Sequence, residues 1–285
     1  MFGLGAGIAR HLGWVVNPAV FSLGVVWLFC LQVGYYFLGD ALELPLLIGL
    51  IGHFRIIHER LADPGERERI ERVETDLQRT LGILFFLLAA AITTWMGWLG
   101  WLDTVSLVML GLTAAGYLIL LIPALQGNLW SLREVIFSLL QVVLPAGLAF
   151  ALQTGEYHRF LALSTFPLFG LHLAVLLILQ LISFREDLQA RFPTLLTGIG
   201  WLKGITLHNY LVIVSFFLMA LAMFFDYPAS VILPAMTAVL PASYLVWYLS
   251  DLQRGAPTRW VLITALSLVT FFLPVYFLLF SFWFD

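Results

Sequence analysis

The sequence predicts an all-α, polytopic membrane protein, and three observations carry the prediction. Of its 285 residues, 61% are hydrophobic and only 11% charged, with a mean hydropathy of +0.98, far from the composition of soluble domains. The apolar residues fall in runs of about 20, the length a helix needs to cross the hydrocarbon core of a bilayer. The runs are continuous and do not alternate in dyads, which excludes barrel strands and leaves helices to satisfy the backbone polar groups.

The breaks between runs give nine candidate spans: 16–38, 41–58, 80–98, 102–124, 132–153, 160–184, 203–225, 228–249 and 258–283. Arg10 and His11 precede the first, but it runs on to Asp40 without a small-residue cleavage pattern, so it reads as a span and not a signal peptide. The single cysteine, Cys30, lies within a span. It excludes an intramolecular disulfide and leaves the redox compartment open. The net charge of -3 argues against a nucleic-acid partner.

Orientation follows from the basic residues. With a cytoplasmic N-terminus, the inner segments hold Arg10; Arg55, Arg60, Arg67, Arg69, Arg72 and Arg79; Arg133; Arg185, Arg191 and Lys203; and Arg254 and Arg259. Of the 14 basic residues only Arg159 falls outside, so 13 share one side. This positive-inside pattern agrees with an odd number of spans. The outer connections, 39–41, 99–101, 154–159 and 226–228, leave little room for an external domain, and the chain reads as a single transmembrane domain over 1–285.

Charge is costly at membrane level, so the places where it collects are informative. A first cytoplasmic polar loop spans 52–79 and a second spans 184–203, the latter within LISFREDLQARFPTLLTGIG. In the first, Glu59 and Asp63 are four apart and share a helix face, Pro64 and Gly65 break the helix, and Glu66 follows. Such a face offers oxygen ligands to a divalent cation; a solvated face is the alternative. For 67–79 the solvated reading is preferred, because Arg67 with Glu71, Glu68 with Arg72 and Arg72 with Asp76 are i,i+4 pairs.

Several other chemistries are excluded. HERLA, 58–62, begins like a zinc metalloprotease signature but has Ala62 where the second histidine is required. There is no glycine-rich phosphate loop, and no Ser, His, Asp set confined to one side of the membrane. His53 and His172 fall within spans and His208 near the start of the seventh. For His172, ligation of a metal, haem or pigment stands beside a hydrogen bond to a neighbouring helix.

The two polar loops lie four spans apart, each at the exit of an even-numbered helix, which suggests two four-helix repeats plus a ninth span. From about Pro18 to its end the chain resembles the UbiA-type intramembrane prenyltransferases. The family's second motif, D-x-x-x-D followed by a basic turn and T-L-x-x-x-x-G, is matched by Asp187, Thr194, Leu195 and Gly200, with Ser183 on the first aspartate and Gln180 near a common upstream asparagine. PAGLAFALQTGEY, 145–157, is similar to the end of the fifth helix in the naphthoate prenyltransferase branch, and Tyr117, Pro123 and Arg133 are loose matches to a tyrosine, proline and basic loop. The first motif, N-D-x-x-D-x-x-x-D-R, is degenerate: His58 and Glu59 stand for Asn-Asp, Ala62 with Asp63 beside it for the next aspartate, and Glu66 and Arg67 for Asp-Arg. Asp40 and Glu43 give an alternative match, but the charge rule puts them on the opposite face.

The resemblance implies transfer of an isoprenoid group from a prenyl diphosphate to a lipophilic aromatic or quinone-precursor acceptor, with Mg2+ bridging the diphosphate. It assigns Glu59, Asp63, Glu66 and Asp187 as catalytic ligands, adds Glu186 to the metal set, and gives Arg67, Arg191 and Lys203 to the diphosphate. It also implies a bacterial-type inner membrane with the polar site facing the cytoplasm. Ser183 and Ala62 remove two anionic ligands. The alternative is therefore a noncatalytic subunit of the same fold that binds a lipid, quinone or pigment. A small transporter is a third reading, for which ionisable groups deep in the spans are scarce.

Overall fold

The computed structural model describes residues 91, 93–100, 102–121, 132–156, 159–189 and 194–284. Among them every regular element is helical, and five stretches are long and apolar enough to cross a membrane: Arg133–Leu152, Arg159–Arg185, Trp201–Phe225, Ala229–Leu252 and Trp260–Leu278. These five correspond to predicted spans five to nine. The first two predicted spans, and most of the third, lie outside the described residues.

Helix α1, Thr104–Leu121, starts where Asp103 accepts the Ser106 backbone N–H at 2.6 Å, an N-cap that meets one orphan donor of the first turn. Its apolar part, Thr104–Gly116, is shorter than a span. Next come α2, Arg133–Ser138, a π-helical turn over Leu139–Val143, and α3, Leu144–Thr154, as one continuous path. Pro145 explains the π turn: its ring would clash with the carbonyl of Gln141, four residues back, and widening the turn relieves that clash. Helix α3 ends at Gly155, whose φ of 74° is left-handed and whose missing Cβ leaves room for the Asp103 carboxylate.

Helix α4, Arg159–Gln189, is 31 residues long and central: 72% of its span is buried, against 33% for the span that begins at Trp201. The predicted sixth span stopped at 184, but the helix continues through Arg185 and Asp187 because polar residues do not end a helix; they end its hydrophobic part. A short helix α5, Leu195–Ile199, and then α6, Trp201–Ala222, follow across Gly200, whose φ of 84° favours glycine. Helices α4 and α6 approach closely at Gly170, where a Cβ would strike the Ser215 hydroxyl.

The predicted eighth span, 228–249, is two helices, α7 (Ala229–Met236) and α8 (Val239–Gln253), separated by a turn at 237–238. Pro241 cannot donate to the Thr237 carbonyl four residues back, so the ladder breaks there. The Thr237 carbonyl accepts the Leu240 N–H instead, at 3.2 Å, and the Thr237 hydroxyl donates to the Pro234 carbonyl at 2.7 Å. The final helix, α9, runs Trp260–Phe284 with Pro274 inside it.

Of the four apolar clusters among the described residues, the two largest organise the bundle. The larger joins α3, α4, α6, α7 and α9 through residues such as Leu168, Met219, Ile232 and Leu278. The smaller, with Ile178, Leu196, Ile205 and Leu249, ties α5 to the adjacent ends of α4, α6, α8 and α9. Because consecutive spans alternate in direction, Arg133, Arg185, Lys203, Arg254 and Arg259 gather at one end of the bundle. Arg159 lies at the other, 3.6 Å from Asp226 in an exposed ion pair.

Candidate functional site

A group of buried polar side chains, Glu134, Ser138, Ser183, Asp187 and Thr194, gathers where α2, α4 and α5 meet. On α4, Gln180, Ser183 and Asp187 follow at intervals of three and four and so share one face. On α2, Glu134 and Ser138 do the same. The two faces meet antiparallel: Gln180 Nε2 donates to Glu134 Oε1, and eight residues earlier on α4 the His172 Nδ1 lies 3.0 Å from the Ser138 Oγ.

Helix α5 is locked into this junction through its first turn. The Leu195 N–H donates to Glu134 Oε1 at 3.4 Å, and the Leu196 N–H to Gln180 Oε1 at 3.2 Å. The Thr197 N–H donates to Thr194 Oγ1 at 3.0 Å, and the Thr194 N–H to Thr197 Oγ1 at 2.8 Å, which closes a capping box. The donors that open a helix and attract anions are thus already engaged. The motif residues Thr194 and Gly200 accordingly have structural work here: one starts α5 and the other ends it.

Asp187 sits one turn beyond Ser183. It is buried, and its Oδ2 accepts from the Ser183 hydroxyl at 2.8 Å. Burial raises its pKa above the ordinary aspartate value, and the Ser183 hydrogen bond only partly opposes the shift. Ser183 also lies 3.3 Å from the Gln180 carbonyl, so the one hydroxyl proton chooses between two acceptors, and the shorter contact is to Asp187.

Of the residues expected from sequence, the structure places Asp187 in this junction and Lys203 at an exposed position in the first turn of α6. Glu59, Asp63, Glu66, Arg67 and Arg191 lie outside the described residues, as does the side chain of Glu186. Among the described residues no group of three or more His, Cys, Asp and Glu side chains is arranged to hold a metal ion. Asp187 with Ser183 offers one carboxylate and one hydroxyl, fewer than the about six oxygens that magnesium takes. The magnesium expectation therefore rests on the carboxylates outside the described residues.

Glu134 was missed in the sequence reading, which singled out its neighbour Arg133. It is 7% exposed, and its Oε2 is buried without a hydrogen-bond partner among the described residues. The signal available was an acid at the start of an apolar span, in SLREVIFSLLQ; its partner, Gln180, is 46 residues away. His172 makes the interhelical hydrogen bond foreseen as one of its two readings, with its ring 5.9 Å from that of Phe137 and 5.2 Å from that of Phe271.

Compared with protein-family models, with curated proteins and with solved structures, the chain matches none.

Proposed function

We propose that this integral membrane protein is a UbiA-like transferase, moving an isoprenoid group from a prenyl diphosphate to a lipophilic aromatic or quinone-precursor acceptor at the polar end of its bundle. The observation that carries the reading is the buried Asp187, turned inward at the end of a membrane-length helix and followed by the Thr194, Leu195 and Gly200 of the same motif. The nine-span arrangement as two four-helix repeats plus one, and the placement of this end toward the cytoplasm of an inner membrane, belong to the same proposal. The excess of basic residues at that end supports the orientation.

In this reading the protein's own residues divide the tasks. The apolar helix walls keep water from an allylic cation, and aromatic faces stabilise its charge. Mg2+, held by Glu59, Asp63, Glu66 and Asp187, would supply charge neutralisation of the diphosphate. Arg67, Arg191 and Lys203 would stabilise the departing anion. Because the first-turn amides of α5 are engaged within the protein, the diphosphate would have to be held by side chains.

The test is diphosphate release by purified protein given a prenyl diphosphate, an acceptor and magnesium. Wild type is expected to release diphosphate only with magnesium, and Asp187→Ala to lose that activity; an alanine variant as active as wild type would overturn the assignment. A second reading, a noncatalytic subunit that binds a lipid, quinone or pigment, is favoured by one observation: Ser183 occupies the place of an aspartate and spends its hydroxyl on Asp187. It predicts an isoprenoid or pigment copurifying with a protein that releases no diphosphate.

A further inference from the structure

Four basic side chains at one end of the bundle, Arg185, Lys203, Arg254 and Arg259, are exposed and make no ion pair among the described residues. They belong to different helices, and contacts one or two residues away bring them together. The Gln253 side chain donates to the Leu202 carbonyl at 3.1 Å and to the Thr206 hydroxyl at 3.3 Å, which sets Arg254, at the end of α8, beside Lys203, at the start of α6. The Trp201 ring lies 5.8 Å from that of Trp260 and 5.9 Å from that of Phe184, which draws in the neighbouring Arg259 and Arg185. The Tyr248 hydroxyl donates to the Pro257 carbonyl at 2.8 Å and ties the turn that carries Arg254 and Arg259 back onto α8. Asp251, in the last turn of α8, is half-buried and pairs with none of these cations among the described residues.

Below the cations the same edge is aromatic. Tyr210 is seven residues beyond Lys203 on α6, and Trp247 is seven before Arg254 on α8. Two helical turns put each ring on the face of its cation and about 10 Å further along the helix. Tyr210 is 64% exposed and Trp247 58%, both within membrane-length segments. Asn209 donates to the Ser250 hydroxyl at 3.2 Å and joins the two helices at this level. Positive charge at the membrane surface over exposed Tyr and Trp rings matches a phosphate that sits above glycerol esters and acyl chains. A soluble anion would leave the rings unused, and a choline headgroup would add a further positive charge to a corner that already has an excess.

We propose that the corner where α6, α8 and α9 meet binds an anionic diacyl phospholipid from the surrounding leaflet. Arg254 and Arg259 hold its phosphate, and Tyr210 and Trp247 lie against its glycerol and upper acyl region. The site is on the lipid-facing surface, so the ligand arrives sideways within the bilayer. It goes beyond the transferase reading and does not depend on it; Lys203, which that reading gives to the diphosphate, is left unchanged in the test.

Native mass spectrometry of the full-length protein in detergent measures the dissociation constant of the first bound lipid, for phosphatidylglycerol and phosphatidylcholine with identical acyl chains. Wild type is expected to bind phosphatidylglycerol at least about fivefold more tightly, the weight of one basic side chain at an anionic membrane surface. Arg254→Gln and Arg259→Gln, both at exposed positions, are each expected to weaken phosphatidylglycerol about fivefold and to leave phosphatidylcholine unchanged. Arg159→Gln, at the opposite end of the bundle, is expected to change neither. Equal affinities in wild type overturn the proposal, as does an undiminished preference in either variant. A loss of the same size in Arg159→Gln would reveal attraction to net charge alone and also overturns it. Glycerol 3-phosphate, added in excess as a headgroup without chains, is expected to leave the bound phosphatidylglycerol in place; displacement would mark a site for free phosphate and overturns the lipid assignment.

Discussion

Replacing Gln180 by methionine keeps the length and most of the volume of the side chain while removing its hydrogen-bonding groups. Two bonds are lost at once: the Nε2 donation to Glu134 and the acceptance of the Leu196 N–H, whose residue is fully buried. Hydrogen bonds between membrane helices average about 0.6 kcal/mol and reach about 1.7. Unsatisfied buried groups cost about 1–3 kcal/mol in general. The lower scale applies within lipid, because the unfolded chain in a membrane also finds partners, so the expected cost of Gln180→Met is about 1–3 kcal/mol for the two bonds. Reversible unfolding in mixed micelles, followed by far-ultraviolet circular dichroism, measures it. Glu134→Met completes a double-mutant cycle, and a coupling of about 1 kcal/mol is expected because the two side chains are in direct contact. A Gln180→Met protein within about 0.5 kcal/mol of wild type, or strictly additive costs in the cycle, would refute the view that this pair holds α2, α4 and α5 together.

Four further outcomes are expected. Burial raises the Asp187 pKa in the folded state, so its contribution to stability is fully present below the unfolded pKa and is lost as pH rises through the folded one; Asp187→Asn should therefore melt above wild type at neutral pH and with it in acid, and thermal melts across pH that show the gap widening toward acid would contradict this. Thr194→Ala removes the acceptor of the Thr197 N–H and should cost about 1 kcal/mol in the same unfolding assay, whereas Arg159→Ala should leave the melting temperature unchanged, since both partners of its ion pair are exposed. At Gly170, alanine should be tolerated because the Ser215 hydroxyl can rotate away, but leucine should lower stability by about 1–3 kcal/mol by forcing α4 from α6.

Hydropathy made the helices legible to within a few residues, because the need for apolar residues across the bilayer acts on every position of a span. Predicted spans at 132–153, 160–184, 203–225 and 258–283 each have a membrane-length helix at that place. Their interruptions were harder to read. The turn between α7 and α8 leaves the composition unchanged and is written only in Pro241, just as the π turn is written in Pro145. The continuation of α4 through Asp187 was hidden for the opposite reason, since the charge that ends the apolar run leaves the helix itself intact. Asp187 and its Ser183 neighbour were visible as a local i,i+4 pair on one helix. Glu134 was not, because what makes it unusual is a hydrogen bond with a glutamine on another helix and a buried oxygen that finds no hydrogen-bond partner among the described residues.

The length of α4 makes bilayer thickness a variable of this protein. At about 1.5 Å per residue, the 27 residues between Arg159 and Arg185 extend about 40 Å, about 10 Å beyond a typical hydrocarbon core. Tilting, the bend available at Pro167 and immersion of the ends among headgroups must absorb that excess. A thinner membrane pushes more of it outward and a thicker one draws it in. The acyl chain length of the host lipid therefore sets how deep Gln180 and Asp187 lie, and with it how much water reaches the junction they form with Glu134.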